Sequence, residues 1–148
     1  MNTKNKKLKI AIAGLGFGKK VHLEALRESD YLTPVAIYHY DTKQKSILEK
    51  ETGLEFFPNW EELVKSPEID GIIIATPPES RFTLAKQALE NNKNLLLEKP
   101  VSISSSEIEE LQRISLINNL SVCVDFEYRA VPLSVSYTHL TLPTILLV

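Results

Sequence analysis

Short, nearly continuous apolar runs alternate along the chain with segments whose apolar residues recur every three or four positions. The first run, Lys7–Ala13 (KLKIAIA), is rich in aliphatic residues and stops at a glycine cluster, as a buried strand does. Val21, Ala25 and Leu26 then recur at helical spacing with charges between them. Thr33–Tyr38 (TPVAIY) predicts a second strand. Asp41 reads as the cap of a polar helix that ends at Gly53, a residue suited to a left-handed C-terminal cap. A short strand is expected near Leu54–Phe57. Asn59, followed three residues later by Glu62, marks the start of a helix carrying Leu63 and Val64. Gly71–Ala75 is apolar at every position, the pattern of a strand covered on both faces.

Thr76-Pro77-Pro78 stops that strand, because proline supplies no ladder donor, and Leu84, Ala85, Ala88 and Leu89 give the next helix its inner stripe. Leu95–Leu97 is a further strand. Ser104 and Glu107 form a second capping-box pattern, ahead of Ile108, Leu111, Ile114 and Ile117 on one side of a helix, and Leu120–Val124 closes the series. Strands alternating with helices predict an α/β fold: a doubly wound parallel sheet of about six strands.

Charge and composition narrow the classes of function. The 148 residues carry 17 Lys+Arg against 19 Asp+Glu, and 43% are hydrophobic. That suffices for one domain with a core, and the near-neutral balance gives no reason to expect nucleic acid as a partner. Lys4, Lys6, Lys7 and Lys9 read as a solvated lead-in to the first strand. The longest apolar runs fall well short of a bilayer span, and Met1–Lys9 lacks the apolar centre of a secretory signal, so no membrane association is expected. The lone Cys123 excludes an internal disulfide and a cysteine metal cage; we expect a cytoplasmic protein without a metal centre, with Cys123 as a small buried hydrophobe and Trp60 as a packing residue.

Gly14-Leu15-Gly16-Phe17-Gly18 lies between the first strand and the first helix. A phosphate can rest on such a loop, held by backbone N–H groups and the helix dipole, because glycine admits the ligand without a Cβ in the way. The dinucleotide pattern asks for its third glycine or alanine at the position of Lys19, so Gly18 comes one place early. A GxGxG turn also suits S-adenosylmethionine or a purely structural role; the strand before and helix after favour a dinucleotide. The carboxylate that normally meets the adenosine ribose falls at His39, followed by Tyr40 and Asp41, which leaves both NAD and NADP open. Asp41 itself reads as a helix cap.

Thr76-Pro77-Pro78 and Glu98-Lys99-Pro100 both follow strands, where open α/β sheets place their ligand crevice. Together with the glycine loop and Asp125-Phe126-Glu127-Tyr128-Arg129, in that order, they resemble the glucose-fructose oxidoreductase and inositol dehydrogenase family (Gfo/Idh/MocA) from about Leu8 to Pro132. The resemblance implies a Rossmann-type domain binding NAD or NADP, in a protein that moves a hydride to or from a sugar, cyclitol or related hydroxyl compound. It implies a catalytic role for Lys99 beside the nicotinamide and the substrate hydroxyl. Gly14, Gly16, Phe17, Gly18, His39, Thr76, Pro77, Glu98, Lys99 and Pro100 are then the expected cofactor-binding residues. Glu98 would orient its neighbours and Pro100 fix the turn. Where many members carry a histidine, this chain has Arg81, expected to be an ordinary surface arginine; His22 is expected on the helix surface or in packing. Alternatives are a non-catalytic dinucleotide-binding or sensing module and, against the Thr-Pro-Pro and Glu-Lys-Pro motifs, a methyltransferase-like domain.

The family has a second, larger α/β domain that supplies the substrate pocket, a catalytic histidine and usually an oligomer interface, and this chain is expected to lack it. Residues 1–133 read as the cofactor domain. Val135 onward (VSYTHLTLPT) does not resemble the family's continuation and looks like a reading frame of a transposon-end adaptor used in preparing sequencing libraries, so 134–148 is expected to be a non-native tail.

Overall fold

The computed structural model describes residues 6–126. Its strands are β1 (Leu8–Ala13), β2 (Leu32–Tyr38), β3 (Glu55–Phe57), β4 (Gly71–Ile74), β5 (Asn94–Glu98) and β6 (Val122–Asp125). Its helices are α1 (Leu23–Glu28), α2 (Lys45–Thr52), α3 (Trp60–Lys65), α4 (Pro78–Glu90) and α5 (Ser105–Ile117). The strands form one sheet in the order β3-β2-β1-β4-β5-β6 with every neighbouring pair parallel. This is the doubly wound order expected of two βαβ halves meeting between β1 and β4. The expected boundary at residue 133 and the tail 134–148 lie outside the described residues.

Alternation along the central strands divides the core. Ala11, Ala13, Ile72 and Ile74 face α3, α4 and α5, whereas Ile10, Ile12, Ile37 and Ile73 face α1 and α2. Small residues on β1 let helices on the first face approach closely, and Trp60 fills the space beside Tyr38 with an edge-on ring contact at 4.9 Å, as its packing role requires. Pro34 has no N–H for the ladder, and the β1–β2 register shifts there, Ile10 opposing Pro34 and Ala11 opposing Ala36, so that Val35 is the extra residue.

Local signals behave as their chemistry dictates in some places and not in others. Gly53 ends α2 at φ 69°, and Asn59 Oδ1 accepts from the Glu61 and Glu62 N–H groups. Pro78 stands in the first turn of α4, where its missing N–H costs nothing. The Ser104–Glu107 box does not form: the Ser104 side chain caps no helix N–H, and Ser102 instead accepts from Ser104 N–H and donates to the Glu107 carboxylate.

Five expected core positions, on three elements, are corrected. The first helix buries His22, Leu23 and Leu26 and leaves Val21 and Ala25 exposed. Its opening turn, Gly18–His22, is π-helical, with Leu23 N–H reaching back to Gly18 O, and the wider turn rotates the inner stripe away from the spacing of a regular helix. On α5, Leu111 and Ile114 are buried while Ile108 and Ile117 are exposed, since among the described elements α4 is the helix that packs most against it. Cys123 is exposed: it pairs in register with Leu96 at the sheet edge, beyond the layer formed by α1 and α2.

Candidate functional site

A cleft of about 740 Å³ crosses the carboxyl ends of β1, β2 and β4. Its walls are the glycine loop (Gly14, Leu15, Gly16), the end of β2 (Tyr38, His39, Tyr40) and the turn into α4 from Ala75 to Arg81. The strand order reverses between β1 and β4, which parts the flanking loops there.

Each glycine of the loop does something different. Gly14 has φ 120°, and a Cβ there would lie 2.5 Å from Ala75 O, so the loop can pass β4 only with glycine. Gly18 packs against protein as well: its Cβ would meet Ile12 Cγ2 at 3.0 Å and Ala75 Cβ at 3.3 Å. It brings the helix onto the strand, the task usually given to the third glycine, and does so one residue early at the start of the π turn. Gly16 differs from both, because nothing lies within 4 Å of where its Cβ would be. It lines the cleft, and its carbonyl accepts from Lys20 N–H.

At the end of β2, His39 N–H donates to Phe57 O, which fixes its backbone beside β3. Its ring stacks on Tyr40 with centroids 4.6 Å apart, and its Nδ1 accepts from Asp41 N–H at 3.2 Å. Asp41 Oδ1 accepts from Lys43 N–H, so the expected capping role is present, on the short helical turn Thr42–Gln44.

The most polar part of the interior lies where β4, β5 and β6 end. Arg81, expected on the surface, is only 4% exposed. Its Nη1 donates to Glu98 O at 2.5 Å and to Pro100 O, and its Nη2 donates to Thr76 O. Burial pulls the guanidinium below its usual pKa, against the raising effect of the Glu98 and Glu79 charges. Its Nε has no partner among the described residues. His22 is also buried, with Nε2 3.0 Å from Glu98 Oε1 and 3.6 Å from Asp125 Oδ2, while the Phe17 ring sits edge-on to the imidazole. The second Glu98 oxygen accepts from Lys99 N–H. Lys99 is exposed, yet its backbone is bracketed: its N–H by Glu98, and the carbonyls on either side by Arg81.

The ligand atoms of His22, Glu98 and Asp125 lie within 4.8 Å of one another. The His22–Glu98 separation is a hydrogen-bond length, whereas Asp125 Oδ2 stands farther from the imidazole at 3.6 Å.

Of the expected cofactor residues, Gly14, Gly16, His39, Thr76 and Pro77 line the cleft together. Phe17 and Gly18 form its support, and Glu98, Lys99 and Pro100 stand next to it through Arg81. Arg81 and His22 were not anticipated as site residues. A sequence signal for Arg81 exists: it falls one turn before Ala85 on the inner stripe of α4.

Residues 8–126 match the Gfo/Idh/MocA profile, an oxidoreductase family described by its NAD-binding Rossmann fold. An uncharacterized oxidoreductase of Synechocystis, sll0816, is 37% identical over 131 residues, covering 88% of this chain and 35% of that protein. Glucose-6-phosphate 3-dehydrogenase of Bacillus subtilis is 30% identical over 121 residues, 82% of this chain and 34% of its own length. An NAD-binding protein from Listeria innocua has a similar structure, with a TM-score of 0.75 at 26% identity over 80% of this chain and 35% of that one. The chain spans about a third of the length of the curated relatives it matches.

Proposed function

Because the chain belongs to the Gfo/Idh/MocA family of oxidoreductases, we propose that its cleft binds a nicotinamide dinucleotide and serves hydride transfer to or from a sugar, cyclitol or related hydroxyl compound. The observation that carries this reading is Gly16. Protein atoms explain Gly14 and Gly18, whereas Gly16 faces open space on a loop between strand and helix, as a backbone left clear for a pyrophosphate does. Thr76 and Pro77 form the opposite wall.

When bound, the nicotinamide supplies the hydride acceptor or donor. Lys99 stands at the carboxyl end of β5, and its ammonium is suited to stabilise negative charge developing on a carbinol or carbonyl oxygen and to pass on a proton. Its backbone cannot drift readily, because Glu98 and Arg81 hold the peptide groups on both sides. Near-attack geometry also requires groups that hold the substrate, and we assign these to the remainder of a longer protein with a homo-oligomeric assembly in the cytoplasm. No described helix is long and apolar enough to cross a membrane.

Thermal denaturation of the 148-residue chain with NADH, NADPH or S-adenosylmethionine tests the reading. A dinucleotide at a hundred times its dissociation constant is expected to stabilise the fold by about 2.7 kcal/mol. Stabilisation by S-adenosylmethionine alone would overturn it.

A further inference from the structure

We propose that the β2 end of the cleft selects a dinucleotide with a phosphate on the adenosine 2′-oxygen, His39 being the selecting residue. The proposal rests on the dinucleotide reading above and specifies which dinucleotide. In sheets of this kind a carboxylate at the end of β2 accepts from both ribose hydroxyls and repels a 2′-phosphate. Here the residue that follows β2 and lines the cleft is His39.

The carboxylate that follows His39 most closely in sequence caps the next turn. Asp41 is not among the cleft-lining residues, and its Oδ1 accepts from Lys43 N–H at 3.0 Å. Glu79, in the first turn of α4, is the one carboxylate among the described residues lining the cleft, and it belongs to the opposite wall.

What remains at β2 is a set of donors and an aromatic platform. Asp41 N–H donates to His39 Nδ1, so that nitrogen carries no proton and the neutral ring carries its proton on Nε2. Nε2 is thereby a donor on a ring that lines the cleft. Lys43 adds a positive charge to the turn that Asp41 caps, but like Asp41 it is not among the cleft-lining residues. Tyr40, 77% exposed and stacked on His39, offers a flat face beside the same point. A 2′-hydroxyl forms only a neutral hydrogen bond with that donor; a 2′-phosphate forms a charge-assisted one, with no cleft-lining carboxylate on that wall to repel it.

The test is calorimetric titration of the 148-residue chain with NADPH and NADH, with 2′,5′-ADP and 5′-ADP as probes of the adenosine end alone. NADPH is expected to bind about tenfold more tightly than NADH, and 2′,5′-ADP more tightly than 5′-ADP, with the gap narrowing as salt is added. His39→Asp should reverse the order, because it restores the repelling carboxylate. Equal or tighter binding of NADH by the unaltered chain overturns the proposal. Binding of neither dinucleotide refutes the dinucleotide reading itself, and the proposal with it.

Discussion

Replacing Arg81 by methionine is the most direct probe of how the strand ends around Lys99 are held. The side chain keeps an unbranched apolar stem but loses every donor, and three backbone carbonyls, at Thr76, Glu98 and Pro100, lose a charged partner. A buried acceptor left without a donor costs about 1–3 kcal/mol. Part of that sum is returned, because a desolvated guanidinium no longer has to be buried. Partial rehydration of the strand-end carbonyls puts the cost near the low end for each, a net loss of about 2–4 kcal/mol. For a domain of this size that is a fall of roughly 10 °C in midpoint. Trp60, the single tryptophan, is buried against Tyr38 and reports global unfolding by fluorescence in a urea titration. Arg81→Lys should recover part of the loss, since an ammonium can reach some of the carbonyls but lacks the planar fork. A loss below about 0.5 kcal/mol for Arg81→Met, the range of ordinary surface substitutions, would refute the view that this cation ties β4 to β5.

Two glycine substitutions should separate folding from binding. Gly14→Ala should destabilise the chain by about 2–4 kcal/mol, because it combines a φ of 120° with a contact at 2.5 Å, and chemical denaturation checks this. Gly16→Val should leave the unfolding midpoint of the free chain within a degree or so and abolish stabilisation by dinucleotide, since its side chain meets only open cleft. In a longer protein that carries out the proposed hydride transfer, Lys99→Ala should lower turnover more than cofactor affinity; equal loss of both in steady-state kinetics and titration would make Lys99 a binding residue.

The series of strands was legible because the central strands β1 and β4 are buried on both faces and therefore read as apolar runs, ended by glycine or by a Thr-Pro-Pro turn. Helix faces were less legible, because they depend on phase. The π turn at Gly18–His22 shifts the first helix so that His22, and not Val21, turns inward. Arg81 escaped for a different reason: charge argues for the surface, and only the fourfold spacing to Ala85 argues otherwise. The carbonyls that repay its burial come from β4 and β5, far away in sequence. Cys123 fails in the opposite sense, since an apolar strand at a sheet edge need not be covered on both sides.

Two buried cations show how the sheet treats its opposite ends. Lys93 precedes β5, and its ammonium donates to Ser66 O and Ile69 O, both before β4, each at 2.7 Å. Burial lowers its pKa as it lowers that of Arg81. At the amino ends, then, a lysine ties two loops together away from the glycine loop. At the carboxyl ends Arg81 does the same for β4 and β5, but it also lines the cleft, and its Nε has no partner among the described residues. Beside it, His22 and Glu98 are likewise buried, and Glu98 spends one oxygen on the imidazole and the other on Lys99 N–H. A tie between strands needs only the first arrangement. Burial of two further ionisable side chains around one exposed lysine costs desolvation that strand-tying does not require, and it fits the role proposed for Lys99, whose backbone these groups hold.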